Sequence, residues 1–515
     1  RITLATDRHK VSFVAEIDDG DDISTPVGVM RPSRLHRERG DLSYAFSNGN
    51  TSVLLFAGRL DTDDTGTPAL PMDIRFIDTN LAGARATINL NDTQSIEVRL
   101  GWNDVEHLMD NFGLRQAPMA PRHRQSFTTG SGTQVSIAGL QALTDATLKF
   151  GVDATNAKHD ATITNPNNAM FRVGNFVDIS RDVVSAFAEW QGNGERGDLE
   201  LGVRFRHVET DSGEVSASGM MGDMGINVGL LADAFNGAKR NLSWGSLDAL
   251  VKYRLHVASG TEWRFEIGSK TRAPSYQELY LWLPMQSTGG LADGRTYIGN
   301  LDLDQERSNE VTVGFGKDIG RVTVSPQVFY RRVDGYIQGV PSTNMTANRV
   351  SQMMSGVPAL EFANVDAEIW GADIAWKVEL SDHWYVDGIA SYARGQRRDV
   401  DDNLYRLAPP NASASLTWKA DRISVSAEVV GYAKQDKVSS FNDEAPTPGY
   451  GIANTMLVWN PSESLRLEAR VNNILDKAYQ DHVAGINRAN GSDIPVGTRL
   501  YGAERTVSAG VIWSF

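Results

Sequence analysis

The chain has 515 residues, a formal net charge of −14 and no cysteine. So acidic a chain, with no basic stripe, argues against a nucleic-acid partner. Hydrophobic residues make up 41%, mean hydropathy is −0.31, and no stretch approaches the ~20 consecutive apolar residues of a membrane helix.

That average does not exclude a membrane protein. A barrel strand needs only ~9–11 residues, and only alternate ones face lipid. The lack of cysteine fits an oxidising envelope compartment, as it fits many cytosolic proteins. The chain opens Arg1-Ile2-Thr3-Leu4 with no signal peptide, so an exported form is expected to have been processed or truncated at this end. No linker, low-complexity tract or charge block divides it, which predicts one continuous architecture over residues 1–515.

In chain order, short turns are expected at 7–9, 47–50, 90–92, 140–143, 192–194, 258–260, 317–320, 380–382, 419–421 and 461–463. Ten turns make twenty strands, and a last strand runs to Phe515. The segments between hairpins are longer: 19–40, 59–83, 105–128, 155–181, 209–241, 270–307, 332–363, 394–409, 433–449 and 473–502. The strands alternate apolar and polar residues with period two. Val322, Val324, Pro326, Val328 and Tyr330 interleave with Thr323, Ser325 and Gln327. Leu465, Leu467, Ala469 and Val471 interleave with Arg466, Glu468 and Arg470. One face suits lipid, and the charged other face suits a water-filled lumen better than a soluble core.

Short turns on one side and long loops on the other are the asymmetry of outer-membrane barrels. Trp190, Trp263, Trp376, Trp384, Trp418 and Trp459 lie near short turns, as an interfacial aromatic girdle requires. The last strand is amphipathic, with Val507, Ala509, Val511, Trp513 and Phe515 on one face. The fold class is therefore all-β, a transmembrane antiparallel barrel with about twenty-one strands in this chain. Bacterial single-chain barrels have even strand numbers, so one ascending strand, with whatever lay before it, is expected to be missing.

Two segments resemble TonB-dependent receptors: KTRAPSYQELY at 270–280 and EARVNNILDKAY at 468–479. That resemblance implies a 22-stranded barrel, an N-terminal plug and a short box that binds TonB. Plug and box have no counterpart in these 515 residues, so the plug is expected as a separate polypeptide or a removed segment. The TonB complex would act through it, and outer-membrane lipid and lipopolysaccharide would surround the barrel.

A narrower resemblance links HLMDNFGLR at 107–115 to TonB-dependent copper receptors. The segments at 272–301 and FANVDA at 362–367 resemble the same subfamily. In that family the His and Met of the first segment bind copper, with a Cys and a Met from the plug. Only His107 and Met109 carry over. Imidazole and thioether suit Cu(I) and disfavour Mg, Ca and Mn. Two residues apart on extended backbone, these side chains point to the same side.

Met119, Met220, Met221, Met224, Met345, Met353 and Met354 fall in the expected outer loops. They read as auxiliary ligands of a thioether funnel or as gap-fillers where loops pack. His123 and His159 are read as solvated loop side chains. Asp61, Asp63 and Asp64, and the run Asp399-Val400-Asp401-Asp402, are read as solvated loops in preference to weak Ca²⁺ sites. No nucleophile elbow or P-loop is present, which argues against an enzyme. The expected function is copper uptake at the outer membrane, with copper as the transported ligand. The alternatives are a receptor of the same build for an iron–siderophore or other organic ligand, and a passive pore.

Overall fold

The computed structural model describes residues 1–257, 260–289 and 291–514. Part of the expected turn at 258–260 and the terminal Phe515 lie outside the described residues.

One sheet of 23 strands contains almost all the β-structure. Two of these are short stubs, Ala217–Ser218 and Tyr297–Ile298. The other twenty-one follow one another antiparallel in chain order, from Ile2–Ala5 to Thr506–Trp513. The strand number is the one read from the sequence. With an odd number, the first and last of these described strands run the same way. Every residue of the last strand is exposed.

The alternation does what the sequence pattern implies. Leu100, Trp102, Phe150, Val152, Val203, Phe205, Phe265, Ile267, Val328 and Tyr330 stand exposed on the outer face. Their sequence neighbours face the lumen and pair across strands. Arg204 reaches Asp153 at 2.7 Å, Arg331 reaches Glu310 at 2.8 Å and Arg85 reaches Glu97 at 2.7 Å. Such a polar interior suits water, and the apolar outer band suits lipid. Trp263, Trp384 and Trp459 are exposed beside short turns, and Trp384 lies opposite Trp418 in the ladder.

The upper ends depart from the expected loops. The segment at 155–181 is strand almost throughout: Ala146–Asn165 and Asn168–Gly194 are joined by two residues. The 27 residues of the latter far exceed the ~9–11 that cross a bilayer. Strand also extends into the expected loops at 59–83, 105–128 and 332–363. Above the lipid band the outer face turns polar, as at Asn156, Lys158 and Asp160. The hydropathy contrast that betrays a strand is lost there, while the backbone ladder continues.

The apolar core sits at the mouth. The loop between Arg272 and Glu306 folds inward, burying Leu279, Tyr280, Leu281, Trp282, Leu283 and Met285. Its entry is fixed by helix α1 (Tyr276–Tyr280), whose Ser275 and Glu278 form a capping box. Arg272 clamps Glu278 at 2.8 Å and Glu306 at 2.7 Å. Trp282 Nε1 donates to the Gly174 carbonyl at 2.9 Å, tying loop to wall. Two further helices, α2 (Gly222–Gly237) and α3 (Met345–Ser355), lie in adjacent loops and contribute Val228, Leu231, Phe235 and Val350 to the same cluster.

Leu283 is completely buried in this cap. Leu283→Ala is expected to destabilise the cap by about 2–5 kcal/mol without opening the wall. Limited proteolysis should then cut within 273–305, while the strand signal in circular dichroism stays unchanged.

Candidate metal site at the barrel mouth

The strand Gln94–Asp110 carries Leu100 and Trp102 on its outer face, followed on that face by Asp104 and Glu106. The apolar outer band therefore ends near Trp102. His107 and Met109 lie above it, on the opposite, lumen-facing side.

Register places both residues in a lattice of inward side chains. Met109 stands between Ile74 and Ser126 on the neighbouring strands, and His107 between Ile77 and Thr128. One strand further, Ser126 opposes Ile163 and Thr128 opposes Ala161. Both residues are half-buried, and the expected common side is realised. His107 Nε2 is buried and has no hydrogen-bond partner among the described residues. A buried polar atom without a partner needs an explanation, and a missing ligand supplies one. Burial, then the nearby His159 imidazole, holds His107 below its ordinary basicity. A neutral imidazole is the form that binds metal.

The residues after the two candidate ligands hold the strand end in place. Asp110 Oδ1 accepts from the backbone N–H of Phe112 at 3.1 Å and of Gly113 at 2.6 Å. A Cβ at Gly113 would lie 1.8 Å from Arg75 Nη1, so glycine is what lets Arg75 pass. Asn111 brackets the returning chain: its Oδ1 accepts from Arg124 N–H and its Nδ2 donates to the Arg122 carbonyl. Arg115 forms a two-armed pair with Asp73, each contact 2.7 Å, with both side chains almost wholly buried. It also donates to the carbonyls of Leu70 and Thr67. The segment that follows the ligands is thus a clamp joining two loops.

The other sequence candidates separate. Met119, Met221 and Met345 are exposed, and Met353 is nearly half so. Met220, Met224 and Met354 pack against the mouth core. Most sit on or beside α2 and α3 and none on the strand of His107. Met170, exposed beside a tight turn, lies in the expected loop at 155–181 and belongs with the exposed set, though it was not among the candidates. His123 is no free ligand: it stacks on Phe112 at 4.6 Å, and its ring nitrogens meet the Pro118 carbonyl and Asn167 Nδ2.

His159 is not the solvated loop residue expected. It lies on the strand Ala146–Asn165, half-buried among aromatic rings, because that strand extends past the lipid band. The acidic clusters are engaged by arginines and hydroxyls. Asp61 accepts from Arg59 at 2.8 Å and Asp64 pairs with Arg75 at 2.9 Å. Asp399 pairs with Arg397, and buried Asp402 accepts from Ser439 and Ser440. Among the described residues, no group of three or more His, Cys, Asp or Glu is placed to hold a metal ion.

The Asp73–Arg115 pair predicts an asymmetric mutational response. Asp73→Ala strands a buried guanidinium and should cost about 3–5 kcal/mol, whereas replacing both partners, Asp73→Leu with Arg115→Met, should recover most of it. Urea midpoints of the refolded proteins measure both.

A family model described as TonB dependent receptor-like, beta-barrel, matches residues 20–474. No curated protein matches the chain. Among solved structures, the copper transporter OprC superposes with a TM-score of 0.80 at 19% identity, covering 99% of this chain and 76% of that one. The ferric-catecholate import receptor Fiu from K12 E. coli gives 0.69 at 13% identity, covering 99% and 78%. The FrpB iron transporter from Neisseria meningitidis (F3-3 variant) gives 0.69 at 12% identity, covering 100% and 78%. At these identities the likeness is one of fold. The family consists of outer-membrane transporters and receptors that carry a plug and engage TonB. With the family model spanning most of its length, the chain belongs to the TonB-dependent receptor-like β-barrel family.

Proposed function

We propose that this chain is the barrel of a bacterial outer-membrane receptor that binds copper at His107 and Met109 and passes it inward. The observation that carries the reading is the buried, unpartnered Nε2 of His107, one pleat from a thioether on the same lumen-facing wall. Imidazole and thioether are soft donors that select copper over the hard divalent ions. Two protein ligands leave room for donors from a partner surface. A plug in the lumen would supply them, as a separate polypeptide or as further sequence of the same receptor. The TonB complex would then drive release by moving that plug.

The exposed thioethers of Met119, Met221, Met345 and Met353 would meet the ion first. Met220, Met224 and Met354, packed beneath them, serve mainly as filler in the cap. Lipid and lipopolysaccharide would contact the outer band. The name of one structural neighbour, a copper transporter, agrees with this reading. The names of others point to ferric ligands, so a siderophore receptor of the same fold is the competing reading.

Replacing His107 and Met109 together by Ala is expected to weaken copper binding at least about a hundredfold, since loss of outer-shell groups alone costs 10–100-fold. The strand content should not change. Copper titration of the detergent-solubilised protein, run beside ferric-siderophore binding, separates the readings. Siderophore binding with unchanged copper affinity in the double variant would contradict the copper assignment.

A further inference from the structure

A third side chain stands in register with the proposed copper ligands. Three lumen-facing rows cross the neighbouring strands Gln94–Asp110, Gln125–Ala142 and Ala146–Asn165. The first is Met109, Ser126 and Ile163; the second is His107, Thr128 and Ala161; the third is Val105, Gly130 and His159. His107 and His159 therefore lie on a diagonal, two strands and one pleat apart. At ~4.8 Å between strands and ~6.8 Å per pleat, their Cα atoms are about 12 Å apart. Two facing imidazoles, with a metal bond of about 2 Å on each side, span that gap.

Gly130 adds no side chain, and a Cβ built there meets only the Lys158 carbonyl, at 3.7 Å. His159 is held in place by aromatic rings. Its ring packs 4.7 Å from Tyr276 and 5.4 Å from Phe176, which meet each other edge to face at 5.1 Å. Tyr276 is the first residue of the capped helix α1, so the cage is built from both wall and loop. Among the described residues, no hydrogen bond involves the His159 ring. Two imidazoles lacking partners on one wall, one of them orphaned in a buried position, form a donor set awaiting an acceptor.

Building on the copper reading above, we propose that His159 is a further metal ligand, giving a second, inner position in which His107 and His159 hold the ion by two imidazoles from the barrel wall alone. The three donors descend the wall in the order Met109, His107, His159, so the ion moves one pleat inward as it exchanges sulfur for nitrogen. All three donors are neutral, and among the described residues no carboxylate completes a cluster with them. The cost of burying an ion rises steeply with its charge, so this set takes a soft monovalent cation, Cu(I) or Ag(I), in preference to Cu(II) or Zn(II).

The test uses the 515-residue chain refolded in detergent and loaded anaerobically with Cu(I) against a chromophoric chelator, with Ag(I) as a redox-inert second probe. X-ray absorption of the loaded protein counts imidazoles by their multiple scattering. The parent should show two imidazoles at the ion. His159→Ala should show one imidazole and bind at least about tenfold more weakly. Gly130→Val leaves every ligand in place but fills the gap, and it should lose affinity in the same way. If His159→Ala fails to fold by circular dichroism, the Gly130 variant decides. A one-imidazole parent spectrum, with affinity unchanged in both variants but abolished in the His107/Met109 double variant, would overturn the role of His159 and leave the copper reading standing. A parent that binds neither ion would overturn both.

Discussion

A bilayer core offers the backbone no hydrogen-bond partners, so every strand that crosses it must pair with its neighbours on both sides. The unbroken antiparallel succession of strands from Ile2–Ala5 to Thr506–Trp513 is the consequence. Continuous pairing fixes register, and register fixes which face each side chain occupies. A slip of one residue in Gln94–Asp110 would turn His107 and Met109 out of the lumen and put Leu108 in their place. The candidate metal site is thus a property of strand pairing before it is a property of any loop.

The same constraint explains where the apolar core lies. Along the lower wall the outer face is an apolar band suited to lipid and the lumen is lined by paired charges such as Asp153 with Arg204, so neither needs an inner hydrophobic core. Above the membrane the wall is surrounded by water, and the loops must fold on one another. Their packing centres on Leu279–Met285 and the two longer loop helices. That cap brings Tyr276 against His159, and the buried Arg115–Asp73 pair anchors the chain just beyond Met109. The residues around the site are placed by the cap, the candidate ligands by the wall.

Much of this was legible in the sequence. Period-two alternation located the strands and their number because lipid and lumen impose opposite polarity on adjacent residues. The spacing of His107 and Met109 predicted a shared face, and the register agrees. What escaped was the height of the wall. Above the lipid band both faces are polar, so 155–165 and 168–181 read as loop, and His159 was dismissed with them. The clamp formed by Asp110, Asn111 and Arg115 was also hidden, since its partners Asp73, Arg75 and Arg124 are brought to it only by pairing and by a loop closure.

Because the chain has no cysteine, single cysteines can report the facing of each position without background. Spin labels at Val98, Leu100 and Trp102 of the protein in lipid bilayers should collide with oxygen dissolved in the membrane. Labels at Arg99, Gly101 and Asn103 should collide with a water-soluble relaxation agent. That two-residue oscillation, continued by water access at His107 and Met109, is the predicted result. A flat profile, or one with the opposite phase, would contradict the placement of both residues on the inner wall.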